Sequence, residues 1–260
     1  MSPRLMGGEN SAIGEFPWLA RLGYVDRQKR DDKIFRCDGS ILSEFFIITS
    51  ARCAIGNETA GKTLEVARLG EYNLETDPDC DGDFCADAYV DYIVTKTSIH
   101  QEYQESTRMN NIALVRVDMK IEFTKFIQPI CLLIGKSGEL MQKYYAGQNA
   151  RLAAWGKGKD LDSKLSQSIL QRLTVEVKDP STCQDCQSPP QKLGRGQICA
   201  GGMALQGPCN DDGGAPLMVQ ELTPPRWYLL GMDSCGKCGS TIPHVYTRVT
   251  DYLLWILDRM

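Results

Sequence analysis

Leu173-Thr174-Val175-Glu176-Val177 alternates apolar with polar residues. Successive side chains of a strand point to opposite faces, so this stretch reads as a strand with one face buried. Further out, Phe45-Phe46-Ile47-Ile48 is an unbroken apolar run and reads as a buried strand. Turn residues punctuate the rest: Gly7-Gly8, Pro189-Pro190, Gly201-Gly202, Gly213-Gly214 and Pro224-Pro225. Many short strands at loop-sized spacing indicate an all-β sandwich or barrel. One late segment departs from this pattern. Thr250 is placed as an N-cap, Asp251 falls in the first turn, and Tyr252, Leu253, Trp255 and Ile256 follow at helical spacing. This predicts a C-terminal helix over 250–259.

The 260 residues are 42% hydrophobic and 24% charged, enough apolar material for a packed core. No stretch approaches the roughly 20 apolar residues a membrane span requires. A net charge of −4 provides no global basic field, so neither nucleic acid nor an anionic membrane is an expected partner. With two histidines, His100 and His244, any mechanism that needs an imidazole base must use one of them.

Eleven cysteines, at 37, 53, 80, 85, 131, 183, 186, 199, 209, 235 and 238, suggest a disulfide framework in an oxidising compartment. The odd count leaves one thiol free or bonded to another chain. Cys183-Gln184-Asp185-Cys186 and Cys235-Gly236-Lys237-Cys238 also have the spacing of a four-thiolate zinc site. The acidic stretch from Asp77 to Asp87 contains Cys80 and Cys85 and reads as a surface loop closed by its own disulfide. Asn57-Glu58-Thr59 is a glycosylation sequon. The chain begins Met1-Ser2-Pro3-Arg4 without an apolar leader, so a secreted reading implies an upstream portion.

Several motifs resemble the trypsin/chymotrypsin-like serine proteases, and the resemblance runs from Leu5 to Arg259. Leu5-Met6-Gly7-Gly8 after Arg4 looks like an activation site and new N-terminus. Thr49-Ser50-Ala51-Arg52-Cys53 matches the motif of the catalytic histidine, and Asn111-Ile112-Ala113-Leu114 that of the catalytic aspartate. Cys209-Asn210-Asp211-Asp212-Gly213-Gly214-Ala215-Pro216 matches the serine loop. Ile198-Cys199-Ala200-Gly201-Gly202 and Pro243-His244-Val245-Tyr246-Thr247-Arg248-Val249 are also typical of the family. The resemblance implies two six-stranded antiparallel barrels, approximately 5–125 and 126–249, with the helix at 250–259 and the site between the barrels. Residues 1–4 would be the remnant of an upstream segment.

The match fails at the three catalytic positions. Arg52 stands at the histidine position, Asn111 at the aspartate and Gly213 at the serine. Glycine offers no nucleophile. Arginine stays protonated, with a pKa above about 12, and cannot act as base. Asparagine has no charge to steady an imidazolium. Asp211 takes the oxyanion-donor position, where a carboxylate opposes developing negative charge. Gly207 falls at the pocket base, Gly236 on the pocket wall, and His244 where the family has a pocket-lining glycine, so His244 is expected to fill part of the pocket. His100 matches a structural surface histidine. A non-catalytic homologue is expected.

The framework is retained. The resemblance implies disulfides Cys37–Cys53, Cys183–Cys199 and Cys209–Cys238. It also implies Cys80–Cys85, as in arthropod clip-domain proteases. A fifth bridge, Cys186–Cys235, is expected to staple the cleft where the family has a tryptophan, and these pairings displace the zinc reading. Cys131 resembles the cysteine that tethers a cleaved, clip-type N-terminal chain. After cleavage between Arg4 and Leu5, Asp212 would receive the new ammonium. Arg52 either reaches Asp211 or Asp212 or points to water. Leu69 to Glu75 resembles a calcium loop to which Glu71 and Glu75 could contribute, and a solvated acidic loop is the competing reading.

The resemblance implies a secreted, non-catalytic regulator of an extracellular protease cascade such as prophenoloxidase activation (melanisation) or Toll-type immunity. Its partners would be a protease, prophenoloxidase or a similar protein. The competing expectation is a recognition or adhesion module for microbial surfaces.

Overall fold

The computed structural model describes residues 5–26, 33–55, 62–134, 144–155, 168–184, 189–208, 213–222, 225–237 and 239–260. Strands β1 (Glu9–Asn10), β2 (Leu19–Val25), β3 (Lys33–Ile41) and β4 (Phe46–Thr49) lead into a short helix, α1 (Ala51–Ile55). Next come β5 (Thr63–Leu69), the small pair β6 (Cys80–Asp81) and β7 (Phe84–Cys85), β8 (Val90–Ile99) and β9 (Ala113–Val117). The second half holds β10 (Cys131–Leu132), β11 (Asn149–Trp155), β12 (Leu170–Glu176), β13 (Gln197–Ala200), β14 (Pro216–Leu222), β15 (Pro225–Cys235) and β16 (His244–Arg248).

Strands β2, β3, β4, β9, β8 and β5 close into a six-stranded barrel. The second sheet runs β1-β12-β11-β14-β15-β16-β13, with β10 added in parallel to β15. It curls back on itself: Gly201 N–H donates to the Glu176 carbonyl at 2.9 Å, and Val177 bridges Ala200. Six of its strands therefore wrap into a second cylinder, extended by β1 and β10. The first described residues join this second half, since β1 pairs with β12 and Leu5 is fully buried in its core.

The alternation at Leu173, Val175 and Val177 has its expected outcome. All three pack into the second core with Leu152, Leu217 and Tyr246, while Thr174 and Glu176 are exposed. Each such burial is worth about 1.5–3 kcal/mol. The Phe45–Ile48 run has a different logic at each residue. Ile47 fills the first barrel, and Ile48, on the opposite face, fills the seam between the halves.

That seam explains how the two halves hold one cleft. Phe16, Trp18, Ile112 and Leu114 from the first half pack with Trp155, Met218, Leu229 and Trp255 from the second. The chain ends in a 3-10 turn, Val249–Tyr252, followed by helix α2, Leu253–Leu257. The expected N-cap is corrected: Thr250 lies buried inside the 3-10 turn, and Arg248 precedes it without a side-chain cap. His100 lies 5.5 Å from the Tyr252 ring and 5.4 Å from Trp255, so it is buried under this C-terminal segment rather than on the surface.

Candidate functional site

Arg52 rides on α1, directly after β4. Asn111 precedes β9, and Gly213 precedes β14. Asn111 is fully buried and ties three elements together. Its Oδ1 accepts the Arg52 backbone N–H at 3.0 Å, its Nδ2 donates to Ser234 Oγ at 2.8 Å, and its carbonyl accepts from Thr247 Oγ1 at 2.9 Å. The carboxamide is used as a crossbar between the halves, with donor and acceptor both satisfied.

Gly213 is buried beside the Cys37–Cys53 disulfide, and its carbonyl accepts Asp38 N–H at 2.9 Å. A Cβ there would sit 3.0 Å from Cys53 Sγ and 3.4 Å from Cys37 Sγ, a tight but adjustable fit. The next residue is different. Gly214 has φ +81°, and a Cβ would collide with the Asp38 carbonyl and Thr49 Oγ1. Glycine is therefore dictated at 214 by the backbone, whereas at 213 a side chain would require only a small shift of the neighbouring disulfide.

His244 starts β16, buried between Gly207 and Gly236. A Cβ on Gly236 would overlap its ring, and one on Gly207 would touch it at 3.4 Å. The imidazole thus occupies the space that these glycines would otherwise leave open. Its Nδ1 faces Asp233 Oδ1 at 3.4 Å, a charge-pair distance longer than a good hydrogen bond, and its Nε2 faces the Lys237 carbonyl at 3.3 Å. Asp233 is a part of the site that the sequence reading missed; the hairpin of β15 and β16 brings it within reach of His244.

Above this plug lies a cleft of about 420 Å³, lined by Arg52, Glu105, Arg108, Cys235, Lys237 and Ile242 among others. Arg4, Cys186, Cys209, Asp211, Asp212, Cys238 and Asn57 lie outside the described residues. The expected ammonium partner, the oxyanion position, the sequon and two of the cysteine pairings fall there. Cys235 takes part in a disulfide. Cys37–Cys53, Cys80–Cys85 and Cys183–Cys199 are bonded, and Cys131, on β10, is a half-buried free thiol. Leu5 is buried, and Met6 exchanges backbone hydrogen bonds with Gly207 at 2.9 and 3.1 Å, which docks this segment against the Gly207 backbone.

Glu71 and Glu75 sit in different settings. Glu71 is buried; its Oε2 meets Arg68 Nη1 at 3.2 Å and its Oε1 accepts Tyr72 N–H. Burial pushes the Glu71 carboxyl up from its usual range, opposed by Arg68. Glu75 is exposed. Arg68 also pairs with Asp91 at 2.7 Å and lies 3.6 Å over the Tyr89 ring. An internal guanidinium thus sits at the loop's buried carboxylate. Among the described residues, no cluster of three or more metal-ligating side chains forms.

A barrel pair with this cleft matches one family. The trypsin family model covers residues 5–256. The chain belongs to the trypsin family. Within it, the chain is 35% identical over its whole length to CLIP domain-containing serine protease B4 of Anopheles gambiae, covering 71% of that protein. It is 31% identical over 97% of its length to phenoloxidase-activating factor 3 of Holotrichia diomphalia, again covering 71% of the relative. The crystal structure of the Drosophila Grass clip serine protease of the Toll pathway superposes with a TM-score of 0.79 at 30% identity, covering 98% of this chain and 71% of that one. Among such relatives the share covered falls as low as 62%. This trypsin-family domain thus resembles arthropod clip-domain proteases in sequence and fold.

Proposed function

We propose that this trypsin-family domain works by binding rather than by cutting, as a secreted regulator or scaffold in an extracellular protease cascade such as prophenoloxidase activation or Toll-type immunity. One observation carries the reading: the residue packed against the Cys37–Cys53 disulfide is Gly213, without a side chain to attack a peptide bond. Two further observations support it. Arg52 cannot take a proton, and the Asn111 carboxamide is committed to backbone and hydroxyl partners. Among the described residues, the His244 ring fills space beside Gly236 that a substrate side chain would need. The disulfides favour an oxidising, extracellular setting. Relatives named for phenoloxidase activation and the Toll pathway supply the cascade context.

Cleavage after Arg4 would place a new ammonium on Leu5, whose side chain is already buried beside the pocket base. Asp212 is its proposed partner, and Cys131 the proposed tether for a clip-type chain. The test is reconstitution. Cleaved protein added to a cascade of purified protease and prophenoloxidase should change the yield of active phenoloxidase while a peptide panel stays uncut. Turnover of the panel by this chain would overturn the reading.

A further inference from the structure

Residues 5–8 are wedged into the second half by contacts with three other parts of the chain. Leu5 has no exposed surface and packs in the core that holds Leu133, Tyr145 and Leu217. Met6 donates its N–H to the Gly207 carbonyl at 2.9 Å and accepts the Gly207 N–H at 3.1 Å, an isolated antiparallel bridge. Gly7, at φ +72°, lies so close to Gln206 and the Leu205 carbonyl that a Cβ there would collide with both. A Cβ on Gly8 would lie 3.1 Å from the Arg172 carbonyl on β12.

The loop that receives this segment is held from its other side as well. Leu205 donates its N–H to the Gly239 carbonyl at 3.0 Å, and a Cβ on Gly239 would sit 3.0 Å from Met6 Sδ. A Cβ on Gly207 would touch the His244 ring at 3.4 Å. Residues 5–8, the 205–207 loop, Gly239 and the His244 plug therefore form one stack. Leu205 has a left-handed backbone, φ 61°, although its side chain is 62% exposed. Burial of its own side chain does not compensate for that conformation; the backbone contacts of the stack hold it.

Arg4 and Leu5 are joined in this chain. Hydrolysis between them adds water across the peptide bond and leaves a carboxylate on Arg4 and an ammonium on Leu5. Within the stack it changes the Leu5 nitrogen alone. The Leu5 side chain, the Met6–Gly207 bridge and the two glycine contacts are the same groups before and after. We propose that the stack is already formed in the uncut chain, so that cleavage is not the switch that orders the 205–207 loop and seats it against His244. Cutting then alters what is joined to the domain and leaves this loop as it was. The inference rests on the reading of Arg4–Leu5 as the cleavage site, and not on whether the cleft is catalytic.

Amide hydrogen exchange read by mass spectrometry tests it on two forms of the full-length protein. One is Arg4→Gln, which an arginine-specific protease cannot open at this bond; the other is wild type cut after Arg4, with the cut verified by intact mass. The Met6, Leu205 and Gly207 amides are all hydrogen-bonded. They are expected to exchange about a hundredfold or more slowly than in the unfolded chain in both forms, and to agree between forms within about threefold. Leu5→Asn, which removes the buried apolar anchor, should speed exchange at Gly207 about tenfold or more whether or not the chain is cut. Unprotected amides in Arg4→Gln overturn the proposal, with or without protection appearing on cutting. So does a Leu5→Asn effect confined to the cut form, which would assign the docking to the ammonium. If Leu5→Asn unfolds, the comparison of Arg4→Gln with cut wild type decides alone. If the protease does not cut wild type at Arg4, the cleavage-site reading fails, while protection in the uncut chain still decides the proposal.

Discussion

The imidazole of His244 lies over Gly236, so close that no side chain could be added to that glycine without moving the ring. Asp233 stands behind it at 3.4 Å. The space beside Gly236 and Gly207 is thus taken up by the protein's own packing.

Removing the plug should therefore create a cation site. In His244→Gly the Asp233 carboxylate faces an empty pocket over Gly207. Benzamidine, an aromatic cation, is expected to bind saturably with a Kd of about 1 mM or tighter, by calorimetry. Wild type and His244→Gly with Asp233→Asn should not bind. The single variant should lose on the order of 1–3 kcal/mol in urea unfolding, because a buried carboxylate loses its neighbour.

Restoring the hydroxyl alone should not restore chemistry. Gly213→Ser places its Cβ near the Cys37–Cys53 sulfurs at distances that need only small adjustment, so it should fold with a change of about 1 kcal/mol or less. Without a base at position 52, peptide hydrolysis should stay at background. Measurable turnover would reveal a proton acceptor not identified here.

Asn111 should matter for stability. Asn111→Ala leaves the Arg52 N–H and the Ser234 hydroxyl without their buried partner, with an expected loss of roughly 2–4 kcal/mol by denaturant titration. Asn111→Asp keeps the acceptor but loses the donor to Ser234, and should cost less than Asn111→Ala.

Arg68 should act as the loop's resident cation. Arg68→Met leaves Glu71 buried without its charge partner and Asp91 with Lys33 alone, for an expected loss on the order of 2–4 kcal/mol. Because Glu71 is already paired, millimolar calcium should leave the wild-type Tm unchanged in a thermal scan. A calcium-induced rise of several degrees would contradict this.

Acid should loosen the C-terminal segment through His100. Burial depresses its pKa below 6.5, Glu102 opposes this and Arg259 adds to it. Its Nδ1 accepts the Glu102 N–H at 3.2 Å, a bond that only the unprotonated nitrogen can make. The folded state thus favours the neutral ring, and the unfolded state binds more protons as pH falls below 6.5. Stability from this group is complete above that pH and declines as pH drops through the depressed folded value. Unfolding monitored by Trp255 fluorescence between pH 8 and 5 should show this decline, and His100→Gln should reduce it.

Much of this was legible in the chain because strand burial has a period of two. The Leu173–Val177 alternation ended in the core it implied, as did Ile47 and Ile48, whereas Phe45 lies half-buried just before β4; the family resemblance pointed to Arg52, Asn111, Gly213 and His244. What the sequence hid was contact between distant residues. Nothing local marks Asp233 as the neighbour of His244, Ser234 as the partner of Asn111, or Arg68 as the cation beside Glu71. Those relationships appear only when hairpins and barrels fold. The helix start was misplaced for a related reason: Thr250 has the chemistry of a cap, but the seam buries it and the chain enters through a 3-10 turn.

The central claim is that this cleft binds without covalent chemistry. Incubating the cleaved full-length protein with a fluorophosphonate and measuring its intact mass tests it most directly. An unchanged mass is predicted. A stoichiometric adduct, mapped to any hydroxyl lining the cleft, would contradict the account.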